Sequence, residues 1–482
     1  MAISVNDKYE LVVGLEVHAQ LSTQSKIFSA DSAAYGAGPN QHISMVSLGH
    51  PGTLPFLNKK AVAYAVKMGL ACHCEINLNN HFARKNYFYA DLPKGYQISQ
   101  DQAPICLGGR VPVKLADGSK KDIAIHHIHL EEDAGKSMHD QHNADSLIDL
   151  NRAGVPLIEI VSEPDLRSAE EAGQYLTEIR KLVRYLDICD GNMEEGSLRC
   201  DANISVRLRG AAEYGNRCEV KNLNSIRNVQ RAIEHEFQRQ ISVIEAGGRI
   251  DQNTLNFDAD TGETSVLRSK EMANDYRYFP EPDLPPLVLT KEYIDSIRAE
   301  MPALPGELFQ KYTTQFGLSD YDASVITNDY HLAQYFETVI KHTTNYKAAA
   351  NWLMGPLKAG MDDSSANTLK PEDLAGMIKL VDEGKINHTI ASNKLLPELL
   401  KGTGKSAQQL ATDLNLFISE SGDELNEFIL KALAKFPDKV TEYRKGKKGV
   451  LGLFMGDIMK QSKGKIDPQK TNQLLIKALE NN

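Results

Sequence analysis

Leu11-Val12-Val13-Gly14-Leu15-Glu16-Val17-His18-Ala19-Gln20-Leu21 carries the reading on which the fold of this chain turns. Leu15, Val17, Ala19 and Leu21 fall on one side of an extended chain, and Glu16, His18 and Gln20 on the other. That alternation is the period of a strand with one buried face. A carboxylate and an imidazole therefore stand side by side on its polar face. Further along, Leu198, Cys200, Ala202, Ile204 and Val206 alternate with Ser197, Arg199, Asp201, Asn203, Ser205 and Arg207. A third acidic run, His129-Leu130-Glu131-Glu132-Asp133, lies between the two. A solvated strand face would account for any one of them. Three together, each offering hard oxygen ligands, suit Mg²⁺ held among carboxylates, water and phosphate oxygens. One histidine in the set leaves room for Mn²⁺.

The chain has 482 residues, 41% of them hydrophobic, which is ample for packed cores and excludes disorder as the default. Its length predicts about three domains. No apolar run approaches the roughly 18 residues of a membrane span. The first residues lack the layout of a signal or transit peptide, so a cytoplasmic location is expected. The six cysteines, at 72, 74, 106, 189, 200 and 218, form no CxxC pair. Buried free thiols are therefore expected, rather than a disulfide framework or a zinc ribbon.

Up to about residue 290, short strands alternate with Gly/Pro turns and a few helices, Ala169 to Leu186 and Ile226 to Ala246 among them. Phe279-Pro280-Glu281-Pro282-Asp283-Leu284-Pro285-Pro286 is too rich in proline for a helix or a central strand. Beyond it the pattern is helical, with Pro371-Glu372-Asp373 opening a helix over Leu374 to Glu383. Gly402-Thr403-Gly404-Lys405-Ser406 marks a softer break. The expected architecture is α+β: a large mixed domain carrying the chemistry over 1–290, a helical domain over 291–405 and a helical tail over 406–482.

Charge is spread unevenly. The net charge is −10, yet Ala434 to Asn482 holds eleven Lys or Arg against five Asp or Glu. Lys445, Lys447 and Lys448, interleaved with Gly446 and Gly449, form its densest part. Clustered lysines beside glycine let a backbone approach a phosphate strand, the electrostatic footprint of RNA binding. A solubilising basic face is the plainer reading of the same lysines.

Gly135-Lys136-Ser137 and Gly404-Lys405-Ser406 resemble the end of a P-loop, but the earlier glycine that the motif requires is Leu130 in one case and Leu399 in the other. Any use of ATP must therefore proceed without a Walker loop. No Gly-x-Ser-x-Gly elbow and no His-Glu-x-x-His is present. The stretch from Arg84 to Gln97 interleaves cations, amides and aromatics that can neutralise phosphate, stack on a base and hold a ribose. Asp275 to Pro280 repeats that flavour, and Glu219 to Ser225 sets Lys221 among amides.

These segments together resemble a known family. Gly14 to His18, Pro51-Gly52-Thr53-Leu54-Pro55, Arg84 to Gln100, Glu131 to Lys136, Asn151 to Ile160, Glu194 to Ser205 and Asp275 to Pro280 are similar, in order and over nearly the whole chain, to the B subunits of tRNA-dependent amidotransferases, the GatB family. The resemblance implies a cradle-like catalytic domain that uses ATP and Mg²⁺ to phosphorylate the side-chain carboxylate of Glu or Asp mischarged on tRNA(Gln) or tRNA(Asn). It also implies a separate amidase (glutaminase) chain that supplies ammonia from glutamine, a further small chain of the same complex, and no membrane. Carried over by residue, the metal ligands and catalytic groups would be Glu16, His18, Glu132 and Asp201. On charge type and position, Lys85, Arg199 and Lys221 are the candidates for phosphate contacts, and on the basic balance of the tail Lys445, Lys447 and Lys448 are those for RNA binding.

One departure stands out. Many members of the family carry a structural zinc on four cysteines, and the matching positions here are Ser29, Asp31, Ser44 and Ser47. Without thiolates no structural zinc is expected, and packing alone should hold that loop. Two rival readings are a non-catalytic RNA-binding scaffold, whose acidic groups satisfy buried arginines, and a metal-dependent phosphodiesterase. The first predicts no ATP turnover and the second predicts cut RNA.

Overall fold

The computed structural model describes residues 8–138, 145–269, 276–357, 369–418, 422–462 and 464–481. Asp275, at the head of one segment quoted above, lies outside the described residues. The chain divides into two compact units, Met1–Pro305 and Gly306–Asn482.

The first unit is built on strands β1 (Tyr9–Gln20), β2 (Glu75–Ile76), β3 (Asn79–Asn80), β4 (Ala83–Asn86), β5 (Tyr96–Ser99) and β6 (Cys106–Leu107). There follow β7 (Arg110–Lys114), β8 (Lys120–Glu132), β9 (Lys136–Met138), β10 (Leu147–Asp149), β11 (Pro156–Ser162) and β12 (Leu198–Leu208). The series closes with β13 (Cys218–Leu223), β14 (Asn253–Phe257), β15 (Thr264–Ser269), β16 (Phe279–Pro280) and β17 (Leu287–Val288). One ten-stranded sheet runs β15-β14-β13-β12-β1-β11-β8-β6-β2, with β7 also on β8. The two strands expected from alternation are thus central neighbours, β1 pairing antiparallel with β12 on one side and β11 on the other.

The sheet is buried on one face because the alternation of the sequence is two-sided. Leu11, Val13, Leu15, Val17 and Ala19 of β1 and Leu198, Cys200, Ala202 and Ile204 of β12 all enter one core. Helices α1 (Lys59–Ala71), α2 (Ala169–Tyr185) and α3 (Ile226–Glu245) cover that face. Each begins where a side chain caps it: Asn58, Ser168 and Ser225 accept backbone N–H groups of Lys60, Glu171 and Asn228. Capping satisfies amides that the first turn leaves unpaired, and Glu170 and Glu171 add charge that suits the positive end of α2. All six cysteines are buried and free.

The proline-rich stretch and the two residues after it make edge pairings: Phe279 and Pro280 pair with β4, and Leu287 and Val288 with β3. Helix α4 (Lys291–Ala299), expected to open the helical domain, instead buries Ile294 and Ile297 in the core of the first unit. Two isoleucines three apart on a short amphipathic helix need an apolar partner, and α1 offers one. The second unit is helical. Leu425, Ile429, Phe454, Ile458, Leu475 and Leu479 form a core of their own near its end. Among the described residues no helix is long and apolar enough to cross a membrane.

The loop expected to rely on packing alone is held by hydrogen bonds. Ser29, Ser44 and Ser47 all donate hydroxyls to one oxygen of Asp31, Ser44 at 2.8 Å and Ser29 at 3.1 Å. The residues at these four positions still converge, and a carboxylate now serves as their hub. Burial opposes charge on Asp31, but the hydroxyls outweigh it and lower the carboxyl below its ordinary range.

Candidate functional site

Strand register decides which polar groups meet. On the uncovered face, Glu16 lies opposite Asp201, and His18 lies opposite Glu159 on one side and Arg199 on the other. Glu159 in turn lies opposite His129 of β8. Residues directly paired across a sheet share a face, so four strands contribute to one acidic floor.

Two groups of possible ligands lie there. The ligand atoms of His18, Glu131 and Glu159 all fall within 4.8 Å of one another, as do those of Glu16, Asp201 and Glu219. In the first group the His18 Nε2 is 3.3 Å from Glu159 and 3.9 Å from Glu131. His129 Nε2 stands 3.5 Å from both carboxylates. Burial opposes charge on His18, but Glu159, then Glu131 and Asp201, outweigh it and lift the imidazole to about 9. Burial likewise opposes charge on Glu159, but His18 and His129 hold its carboxyl well below the usual range.

In the second group Glu16 accepts the Asn203 amide at 2.8 Å. Burial, then Glu159, raises its carboxyl above the ordinary value against the pull of Asn203. Lys221 lies 2.8 Å from Glu219 and also donates to Asp201. A bulge aims it there. Cys200 pairs with Leu223 and Ala202 with Val220, so Lys221 and Asn222 both face the single residue Asp201. Asn222 takes φ +67°, a left-handed conformation that asparagine tolerates.

The residues expected as ligands thus divide. Glu16 and Asp201 meet, and His18 lies two residues along β1 in the neighbouring group. Glu132 does not join them. It leaves the other side of β8, where Lys94 contacts its two oxygens at 2.5 and 2.6 Å and the Ile98 N–H donates at 2.8 Å. Glu132 instead lines a cavity of about 110 Å³ with Lys26, Lys94, Ser29 and Ser47. In an extended chain successive side chains point to opposite faces, so only one of Glu131 and Glu132 can reach the floor, and it is Glu131.

The expected phosphate contacts divide as well. Lys85 lies over Tyr276, 5.0 Å from the ring centroid. Burial opposes its charge, but Glu131, then Tyr278 and Glu159, outweigh it and raise its pKa. Arg199 is committed to Asp133 by two hydrogen bonds of 2.9 and 3.0 Å, which Gln20 supports at 2.7 Å. Glu159 and Glu219 are candidate ligands that sequence reasoning missed. Glu159 is the lone carboxylate in the apolar run Pro156 to Ser162, a signal that gains meaning only when β11 is set beside β1.

In the second unit Lys445, Lys447 and Lys448 follow the helix Pro437–Arg444. Lys447 and Lys448 are 74% and 67% exposed, so their distances of 3.6 Å to Glu442 and 3.8 Å to Glu480 leave them solvated.

Residues 11–295 match the sequence model of the GatB/GatE catalytic domain, and residues 334–479 match that of the GatB domain. The B subunit of the aspartyl/glutamyl-tRNA(Asn/Gln) amidotransferase of Thermodesulfovibrio yellowstonii is 46% identical over 476 residues, which cover 98% of this chain and 99% of the relative. Its namesake from Thioalkalivibrio sulfidiphilus is 48% identical over 478 residues, covering 98% of this chain and all of the relative. That from Pseudomonas savastanoi pv. phaseolicola is 48% identical over 482 residues, with the same coverage.

Proposed function

From the premise that this chain belongs to the GatB family, we propose that it is the phosphorylating subunit of a glutamine-using, tRNA-dependent amidotransferase. Its substrates would be ATP and tRNA(Gln) or tRNA(Asn) mischarged with Glu or Asp. Its partners would be an amidase chain, which releases ammonia from glutamine, and a further small chain of the same complex. The observation that carries this reading is the convergence of His18, Glu131, Glu159, Glu16, Asp201 and Glu219 on one face of the sheet.

A carboxylate is a poor acyl donor because oxide is a poor leaving group. In the first step a side-chain carboxylate oxygen attacks the γ-phosphorus of ATP, the bond to the β-phosphate oxygen breaks, and ADP leaves. In the second, ammonia attacks the acyl phosphate carbon, the bond to the phosphate oxygen breaks, and the nitrogen loses a proton to give the amide. Phosphoryl transfer asks the protein mainly for positioning and charge. The donor set of two carboxylates and one imidazole at His18, Glu131 and Glu159 fits a hard divalent ion such as Mg²⁺ or Mn²⁺, which would have to displace the proton that the raised pKa puts on His18. Such an ion supplies charge neutralisation on the transferring phosphoryl group.

The chain's own residues have separate tasks. Glu131 and Glu159 hold negative charge where a cation is needed, and His129, on the same face, contacts both. Lys85 offers an ammonium beside them for a phosphate oxygen. Arg199 fixes Asp133, and so positions the turn that follows β8 rather than meeting phosphate itself. Lys445, Lys447 and Lys448 would hold the body of the tRNA away from the reacting atoms.

The test is to trap the acyl phosphate. Complex supplied with ATP and mischarged tRNA, and with hydroxylamine in place of glutamine, should yield the side-chain hydroxamate and equimolar ADP. ADP formation that ignores the mischarged tRNA, or RNA cut in the same mixture, would reject this reading.

A further inference from the structure

We propose that Tyr89, Tyr87, Tyr276 and Tyr278 form a stacking row for the single-stranded 3′ end of the substrate tRNA. The proposal rests on the amidotransferase reading above and deepens it, because it assigns the surface that steers the aminoacyl end.

The four rings follow one another edge to face. Centroids of Tyr89 and Tyr87 are 5.6 Å apart, those of Tyr87 and Tyr276 6.0 Å, and those of Tyr276 and Tyr278 6.1 Å. Among the described residues none of the four belongs to the core of the first unit. Tyr89 and Tyr278, at the two ends, are 54% and 39% exposed. Contiguous aromatic surface left outside a core marks a site of contact rather than of folding.

The backbone is shaped to hold the row. Tyr87 and Tyr89 follow β4, and Tyr276 and Tyr278 precede its partner β16. Asn86 ties the two segments together. Its N–H donates to the Tyr276 carbonyl at 2.9 Å, and its side-chain amide donates to the Arg277 carbonyl at 2.8 Å. Arg277, between two of the tyrosines, takes φ +44°, in the left-handed region that a bulky side chain enters only under strain. Such strain persists where the surroundings over-determine it, and it gathers at binding sites.

The company of the rings points to nucleic acid. Lys85 lies 5.0 Å from the Tyr276 ring centroid and 6.0 Å from that of Tyr87, and Arg277 is exposed beside them. Cations set against aromatic faces suit bases and phosphates together. A row of rings fits successive bases of a strand, whereas ATP brings a single base. The amino acid is esterified to the terminal ribose of tRNA, so the bases next to it must lie close to the reacting carboxylate. Lys85 links the row to that place, since Glu131 and Glu159 act on its charge.

The experiment measures binding of the uncharged substrate tRNA to the assembled complex, with the tRNA either entire or trimmed of its unpaired 3′ nucleotides. Tyr89→Ala and Tyr278→Ala should each weaken binding of entire tRNA by roughly 5–100-fold, the loss that one stacked base brings. Neither should weaken binding of trimmed tRNA or of ATP alone. Tyr89→Phe and Tyr278→Phe keep the ring and should bind entire tRNA as wild type does. Should an Ala variant not fold, Tyr→Leu, which keeps bulk without an aromatic face, takes its place. Unchanged binding of entire tRNA, equal losses for entire and trimmed tRNA, a Phe variant as weak as its Ala counterpart, weakened ATP binding, or release of the amidase chain would each overturn the proposal. Binding is read without turnover, so failure here and failure of hydroxamate trapping are told apart.

Discussion

Glu131 and Glu132 are neighbours in the chain, yet they belong to two regions that treat carboxylates in opposite ways. On the sheet floor, acids outnumber the cations that touch them, and burial together with Glu159 pushes the Glu16 carboxyl up. Behind the sheet, Glu132 is matched by Lys94 and a backbone N–H, with Lys26 at the same cavity. The floor keeps charge unbalanced for a ligand to complete, whereas the pocket balances charge within the protein. On the reading proposed above, the first is a store of strain held for function, and the second is part of the fold.

The largest expected effect is on activity at the floor. Replacing Glu16, His18 or Asp201 with Ala should lower ATP-dependent amidation of mischarged tRNA by roughly 10²–10³-fold or more, as losses of transition-state charge stabilisation do. Glutaminase activity of the partner, assayed separately, should persist. A folded variant with near-normal amidation would break the comparison. The sharper form is Glu16→Gln. It should remove activity but raise unfolding free energy by about 0.5–2 kcal/mol, because it deletes a charge that its surroundings oppose.

The pocket should respond in the reverse sense. Lys94→Ala leaves Glu132 buried without its cation and should cost about 3–5 kcal/mol in urea unfolding of the full chain. An unchanged midpoint would mean that the pair is not structural.

A smaller effect is expected at the basic tail, whose charges are solvated rather than built into register. Changing Lys445, Lys447 and Lys448 together to Ala should raise the KM for mischarged tRNA and leave kcat at saturating tRNA nearly normal. The slope of log affinity against log salt should flatten by roughly 0.7–0.9 per lost contact. An unchanged slope would assign these lysines to solubility alone.

The smallest effect concerns Lys26, which burial lowers from 10.5 to about 8. Between those values the unfolded chain binds more protons than the folded one, so this lysine makes stability rise with pH across that window. The difference in unfolding free energy between Lys26→Met and wild type should therefore shift in favour of wild type as pH climbs from about 8 to 10.5. A difference that stays constant across the window would show that Lys26 keeps an ordinary pKa.

Sequence by itself determined a good deal. The alternation in Leu11 to Leu21 and in Leu198 to Val206 named both central strands and their buried faces, because side chains alternate strictly along an extended chain. It also located α2 and α3 by their helical pattern, though their serine caps came only with the structure. What it left open was partnership between distant segments. That Glu131 and not Glu132 reaches His18, that Glu159 completes the group, and that Lys221 closes the second one all depend on which strands lie side by side and where a bulge shifts their register. Three hydroxyls converging on Asp31 were equally invisible, for Ser44 and Ser47 approach it only when the loop folds back on itself. Local periodicity is written in neighbours along the chain, whereas a site is written in neighbours across it, and only tertiary structure decides those.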